Sequence, residues 1–212
     1  KIAFQTAENG WTTALLLAAL IGNEEGGADL LNNNADEKLW DYTAEPFVNG
    51  VAKLQTLLEN NASSNTIGAD YADAANAFMS KSASIICNGS WMSSEFDESS
   101  SDKWSNDFNG DDVKATIYPG NVAIVNQRNY GEFWVSNNAT DEEKEAAEAF
   151  LAFRDSQEEI EALILAEGGS APKITYSDDF QTKMKENRIL SELSDSMDEN
   201  TTYVAGLGDI FP

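Results

Sequence analysis

The stretch "SIICNGSW", residues 84–91, decides how the chain is to be read. A short apolar run ends at Asn88-Gly89, a dipeptide that favours a turn, and Trp91 stands just beyond it. The unbroken run "ASIIC" (83–87) predicts a strand buried on both faces, as in a parallel sheet. The largest apolar side chain then falls where the chain should be reaching water. It has either a packing role or a ligand.

The residues around this stretch predict alternating strands and helices. "KIAF" (1–4) reads as a strand and "QTAENG" (5–10) as a polar turn. Trp11 to Ile21 is apolar on nearly all sides, which predicts a largely buried helix ended by Gly22. Residues 23–44 have loop composition. From Glu45 to Asn60, Phe47, Val48, Val51, Leu54, Leu57 and Leu58 recur at helical spacing. "YADAANAFMSK" (71–81) reads as an amphipathic helix leading into "ASIIC". Residues 93–111 look like loop, and "VKATIYP" (113–119), "VAIVN" (122–126) and "EFWVS" (132–136) like short strands. Thr140 with Glu143, and Ser156 with Glu159, have the spacing of capping boxes before two helices, the second ended by Gly168-Gly169. A last helix is expected over about Asp178 to Met197. This alternation predicts an α/β protein with a mostly parallel sheet flanked by helices.

The chain has 212 residues, enough to bury a sizeable core, and a formal net charge of −24 from 37 acidic and 13 basic side chains. That charge repels phosphate backbones and anionic lipid surfaces, so nucleic acid and membrane faces are not expected partners. The acids are scattered and read as a solvated face. No apolar run approaches the ~20 residues that span a bilayer. The chain opens on Lys1 in a strand without a visible secretory signal, the expectation for a processed product or an excised piece. Histidine is absent, which removes Ser-His-Asp and Cys-His catalysis and most transition-metal sites. Cys87, the only cysteine, reads as a small core residue. "SNDFNGDD" (105–112) hints at a calcium loop, but Ser105 holds the first ligand position and Thr116 the place of the closing Glu. No cofactor and no metal are expected, and no phosphate-binding glycine motif occurs.

In open α/β sheets ligands sit at the carboxyl ends of strands, where loops leave the sheet. Three such places carry polar side chains beside an aromatic: Glu8, Asn9 and Trp11; Asn88, Ser90 and Trp91; Arg128, Asn129 and Tyr130. Aromatic faces cover the C–H face of a sugar ring while carboxylate, amide and guanidinium groups bind hydroxyls, so the combination suits a neutral polyhydroxylated ligand. Taken singly, each residue has a plainer use. Trp11 and Trp91 could pack at strand–helix junctions, Glu8 could favour a helix start, Arg128 could pair on the surface, and Tyr130 could anchor a loop. Recurrence at three loops favours a site. Trp40, Trp104 and Trp134 lack that context and are assigned to packing. Acid pairs for glycoside hydrolysis remain an alternative that no motif marks, as does an acidic interaction domain without a small ligand.

The order of features resembles the carbohydrate-binding solute receptors of bacterial ABC importers, the group that includes maltose-binding protein. The resemblance is carried by the strand–"AENGW"–apolar helix opening, by "GADYADAANAFMSKSASIICNGSW" (68–91), by "YGEFWVSNNATDEEKEAAEAFLAF" (130–153) and by "AEGGSAP" (166–172). It implies a type II periplasmic-binding-protein-like fold. It also places Trp91 on the wall of a sugar cleft, Glu8 and Trp11 beside it, and Arg128, Asn129 and Tyr130 on a neighbouring loop.

Members of that group are about twice this length, with two lobes. The resemblance therefore implies mainly a carboxyl-terminal lobe over 1–137, a segment crossing between lobes over 138–175, and a helix and tail returning toward the hinge over 176–212. The function implied is non-enzymatic: a monomeric substrate-binding component would take a saccharide between two lobes and deliver it to ABC permease subunits. Its place would be extracytoplasmic, periplasmic or as a cell-surface lipoprotein.

Overall fold

The computed structural model of the chain describes residues 1–32, 42–125, 133–168 and 175–206. Strand β1 (Ile2–Ala3) pairs in parallel with β2 (Ile85–Ile86), Ile2 opposite Ile85 and Ala3 opposite Ile86. Strand β3 (Val122–Val125) pairs in parallel with β4 (Thr202–Ala205), Val122 opposite Thr202 and Val125 opposite Ala205. The class is α/β and the pairing parallel, as expected, but among the described residues the strands form two separate two-stranded ladders.

One core lies on β3–β4. Helix α1 (Trp11–Gly22) inserts Ala18, Ala19 and Ile21 against Val122, Val204 and Leu31, all at most 1% exposed. Burying a side chain such as Ile21 stabilises the fold by about 1.5–3 kcal/mol. Leu31 belongs to α2 (Gly27–Asn32), a short helix inside the stretch whose composition suggested only loop. Its leucine has an apolar seat, and Asn32 ties the helix end to β4 by donating to the Tyr203 carbonyl at 2.8 Å and accepting from Ala205 N at 3.0 Å. Helix α3 (Glu45–Asn61) lies against α1 with Gly50 as its buried residue. A Cβ at Gly50 would stand 2.5 Å from Ile21 Cγ1, so only glycine allows the approach.

The second core surrounds α4 (Tyr71–Met79), which starts with a complete capping box between Asp70 and Asp73. Ala74 meets Ala3 and Ala83 on the β1–β2 side. Ala75 and Met79 face Met92, Phe96, Val113 and Ile189. Helices α5 (Asp141–Arg154), α6 (Gln157–Glu167), α7 (Asp178–Glu186) and α8 (Arg188–Asp195) follow. Thr140 and Glu143 form the expected reciprocal box on α5, and Ser156 caps α6 by accepting from Glu159 N. Gly168, at φ 74°, ends α6; the companion Gly169 lies outside the described residues. Among the described residues no helix is long and apolar enough to cross a membrane.

Several expectations are corrected. The "ASIIC" strand is not buried on both faces: Ile85 is 54% exposed, because α4 covers one side of a ladder only two strands wide. Among the described residues "VKATIYP" forms no ladder beyond one antiparallel bridge from Tyr118 to Val122. Its amides are satisfied instead by side chains of the last helical region: Ala115 N donates to Glu192 at 3.0 Å and Ile117 N to Ser196 at 3.1 Å. Residues 133–136 of "EFWVS" are not strand, and Trp134, assigned to packing, is 87% exposed for want of a ladder to hold it. Residues 93–111 contain 3-10 turns over Ser90–Phe96, Glu98–Lys103 and Gly110–Asp112 rather than plain loop. The last helix breaks at Asn187, whose ψ of 101° is extended and whose side chain accepts from Leu190 N to start α8 anew. Trp104 packs as expected, edge-on to Phe108, its indole N–H donating to the Glu95 carbonyl at 2.9 Å. Trp40 lies outside the described residues.

Candidate functional site

The turn after β1 is built around a buried amide. Gln5 is fully buried, and its Oε1 accepts from both Thr12 N (3.2 Å) and Thr12 Oγ1 (2.9 Å), while its backbone carbonyl accepts from Thr13 Oγ1 at 2.7 Å. These bonds draw the first turn of α1 back onto the strand. The chain between them passes through three consecutive left-handed residues, Glu8 (φ 52°), Asn9 (φ 63°) and Gly10 (φ 57°). Such a run is unfavourable for residues with a Cβ, and the buried Gln5 bonds offset it. Trp11 emerges from the bend 40% exposed, which corrects the expectation of a helix buried on nearly all sides.

Glu8 belongs to the same scaffold. Its Oε2 accepts from Gln5 Nε2 at 3.0 Å and from Tyr71 N at 3.2 Å. One carboxylate oxygen thus ties the turn to the first residue of α4, where the positive end of the helix favours an anion. Among the described residues the other oxygen has no donor.

The turn after β2 answers the question posed by "NGSW". Asn88 closes it locally, its Oδ1 accepting from Gly89 N at 3.0 Å and its Nδ2 lying 3.0 Å from Met92 Sδ. The Trp91 indole folds back over Gly89, where an added Cβ would stand 2.2 Å from the ring. Glycine at 89 is therefore what lets the tryptophan lie down on its own turn. Ser90 presents its carbonyl to the end of α6; a Cβ at Gly168 would come within 2.4 Å of it. Burial pushes the Cys87 thiol up to about 11, and it also raises the Tyr118 phenol beneath the turn, with a smaller contribution from Cys87.

These two turns bring their indoles together. Trp11 and Trp91 have ring centroids 5.4 Å apart at an interplanar angle of 43°, and Trp91 is 39% exposed. Among the described residues neither indole N–H has a hydrogen-bond acceptor. A third ring, which the sequence reading missed, completes the group: Tyr71 lies parallel to Trp11 (4°) at 5.7 Å. The Asp70-x-x-Asp73 spacing marks the helix start on which Tyr71 sits, but not its contact with Trp11. Asn9 is exposed on the rim. Arg128, Asn129 and Tyr130 lie outside the described residues.

A separate groove of about 460 Å³, between the Phe96–Glu98 turn and Arg188, contains none of these residues. Among the described residues no group of three His, Cys, Asp or Glu side chains is placed to hold a metal ion.

An aromatic group thus stands at the carboxyl ends of two parallel strands, the place where ligands bind in open α/β sheets. Over residues 1–187 the chain matches the family of bacterial extracellular solute-binding proteins, and it belongs to that family. The family is one of binding proteins and places the chain outside the cytoplasm. Among solved structures it is similar to a chitin oligosaccharide binding protein, with a TM-score of 0.67 and 18% identity over 99% of this chain. The chain spans about half of that structure (50%), so the likeness shows the fold. No curated protein sequence matches it.

Proposed function

We propose that the chain is a carbohydrate-binding lobe, mainly the carboxyl-terminal one, of the substrate-binding component of a bacterial ABC importer. Residues 1–137 form the lobe, 138–175 cross toward its counterpart, and 176–212 return toward the hinge. A saccharide lies against Trp11 and Trp91, with Glu8, Asn9, Asn88 and Ser90 at its hydroxyls and Arg128, Asn129 and Tyr130 as further candidate contacts. The second lobe closes over it, and permease subunits read the closed form. Transport needs no chemistry on the ligand, so the component binds without turnover.

The observation that carries this reading is the meeting of two half-exposed indoles, from turns far apart in sequence, at 5.4 Å and with free N–H donors among the described residues. The likeness to a chitin oligosaccharide binding protein supports an oligosaccharide as the ligand class. The test is a titration of tryptophan emission in the two-lobed protein with neutral oligosaccharides, chitin oligosaccharides among them. A saturable change is expected. Silence across the panel overturns the reading, and new reducing ends in the mixture overturn the absence of catalysis.

A further inference from the structure

We infer that Tyr71 is a positioning residue of the shelf, holding the Trp11 indole at the angle from which it and Trp91 receive a sugar ring. This rests on the saccharide reading above and adds a residue to it. Trp11 stands at the amino-terminal end of α1 with 40% of its surface open, and a neighbouring helix walls one face of its ring. The wall comes from α4, where Tyr71 lies within 4° of parallel to the indole at 5.7 Å. An offset parallel contact of this kind favours one orientation of the ring beyond what area burial gives.

Tyr71 is itself fixed twice. The Asp70–Asp73 capping box sets the helix start on which it sits, Asp73 N donating to Asp70 at 2.8 Å and Asp70 N to Asp73 at 3.2 Å. Its own amide donates to Glu8 Oε2 at 3.2 Å, the same oxygen that takes the Gln5 side-chain amide at 3.0 Å. The turn that carries Trp11 and the helix that carries Tyr71 are therefore joined through the carboxylate and through the rings, beside the bonds from Thr6 N and Ala7 N to the Ala69 carbonyl just ahead of the helix. Rotating Trp11 away from Trp91 would break the ring contact while leaving the carboxylate bond in place. The Tyr71 ring thus sets the 43° angle between the two indoles, and with it the shape of the surface a pyranose meets.

The test compares Tyr71→Phe, Tyr71→Leu and Tyr71→Ala in the two-lobed protein with two readouts. The first is the far-ultraviolet circular dichroism couplet expected from two indoles 5.4 Å apart at 43°, read without ligand. The second is affinity for chitin oligosaccharides of two to five units. Tyr71→Phe keeps the ring and is expected to keep both the couplet and the affinity within about twofold. Tyr71→Leu and Tyr71→Ala are expected to lose most of the couplet and about tenfold in affinity, the loss of one aromatic contact of ~1.4 kcal/mol. An unchanged couplet in both Leu and Ala variants overturns the positioning role, whether or not any saccharide binds. A lost couplet with unchanged affinity overturns the role in binding. If the parent protein binds none of the saccharides, the saccharide reading fails while the couplet still decides what Tyr71 does to Trp11. Should Tyr71→Ala fail to fold, Tyr71→Leu carries the comparison.

Discussion

The molecule contains two aromatic groups built from similar side chains and used in opposite ways. Phe78, Phe96, Trp104 and Phe108 meet at 5.6–6.3 Å, mostly edge to face, over the second core, with the Trp104 N–H satisfied by a carbonyl. Trp11, Tyr71 and Trp91 meet at similar distances, yet both indoles stay about 40% open and their N–H donors are unclaimed among the described residues. The difference lies in the backbone beneath them. The enclosed rings come from α4, from the 3-10 turn that holds Phe96 and from the irregular segment that holds Trp104 and Phe108, whereas the two open indoles each follow a glycine turn at the end of a parallel strand. An aromatic residue on this chain becomes core or surface according to whether the next segment covers it.

The largest effect expected from this contrast is Phe96→Ala, which removes an enclosed ring and should cost about 3–5 kcal/mol of stability in urea unfolding. Trp91→Ala should reverse the pattern in the two-lobed protein. Stability should change by less than ~1 kcal/mol, while saccharide binding weakens by about 2–4 kcal/mol. If Trp91→Ala unfolds the lobe and spares affinity, the two groups are alike after all. Gly89→Ala sharpens the point without touching an aromatic. The added methyl must displace the Trp91 ring, so binding by calorimetry should fall between wild type and Trp91→Ala with the melting temperature little moved.

A smaller effect separates the supports of the two groups by pH. Lys114, the Ala115 amide and Arg188 hold Glu192 at about 2, well below the ordinary carboxylate value of 4.5. A group depressed on folding stabilises above its unfolded value and loses that contribution as pH falls through its folded one. The urea midpoint should therefore decline between about pH 4.5 and 2, and Glu192→Gln should flatten that decline. Least of all should Lys53→Ala matter. It removes an exposed pair with Glu24, and the urea midpoint should stay within the scatter of repeat measurements.

How much of this was legible in the sequence differs between elements. The helices with strong ends were readable, because capping threonine and serine at Thr140 and Ser156 act locally. The pairing of Trp11 with Trp91 was legible as chemistry repeated at strand ends. The strands were overread because β-rich composition cannot tell a ladder from an extended segment satisfied by side chains, the case of Ala115 and Ile117 on Glu192 and Ser196. Tyr71 escaped because its place depends on the fold bringing α4 beside the first turn, a contact with no local mark. Asn187 shows the same limit: a residue that could continue a helix instead ends one and caps the next.

The tight seat of Gly168 against the Ser90 carbonyl has a consequence of another kind. It welds the tail of one helix to the bend that bears an indole, with no slack for even a methyl group. Substitutions that slide α6 along its axis would press this seat on the Ser90 carbonyl and so disturb the bend that bears Trp91.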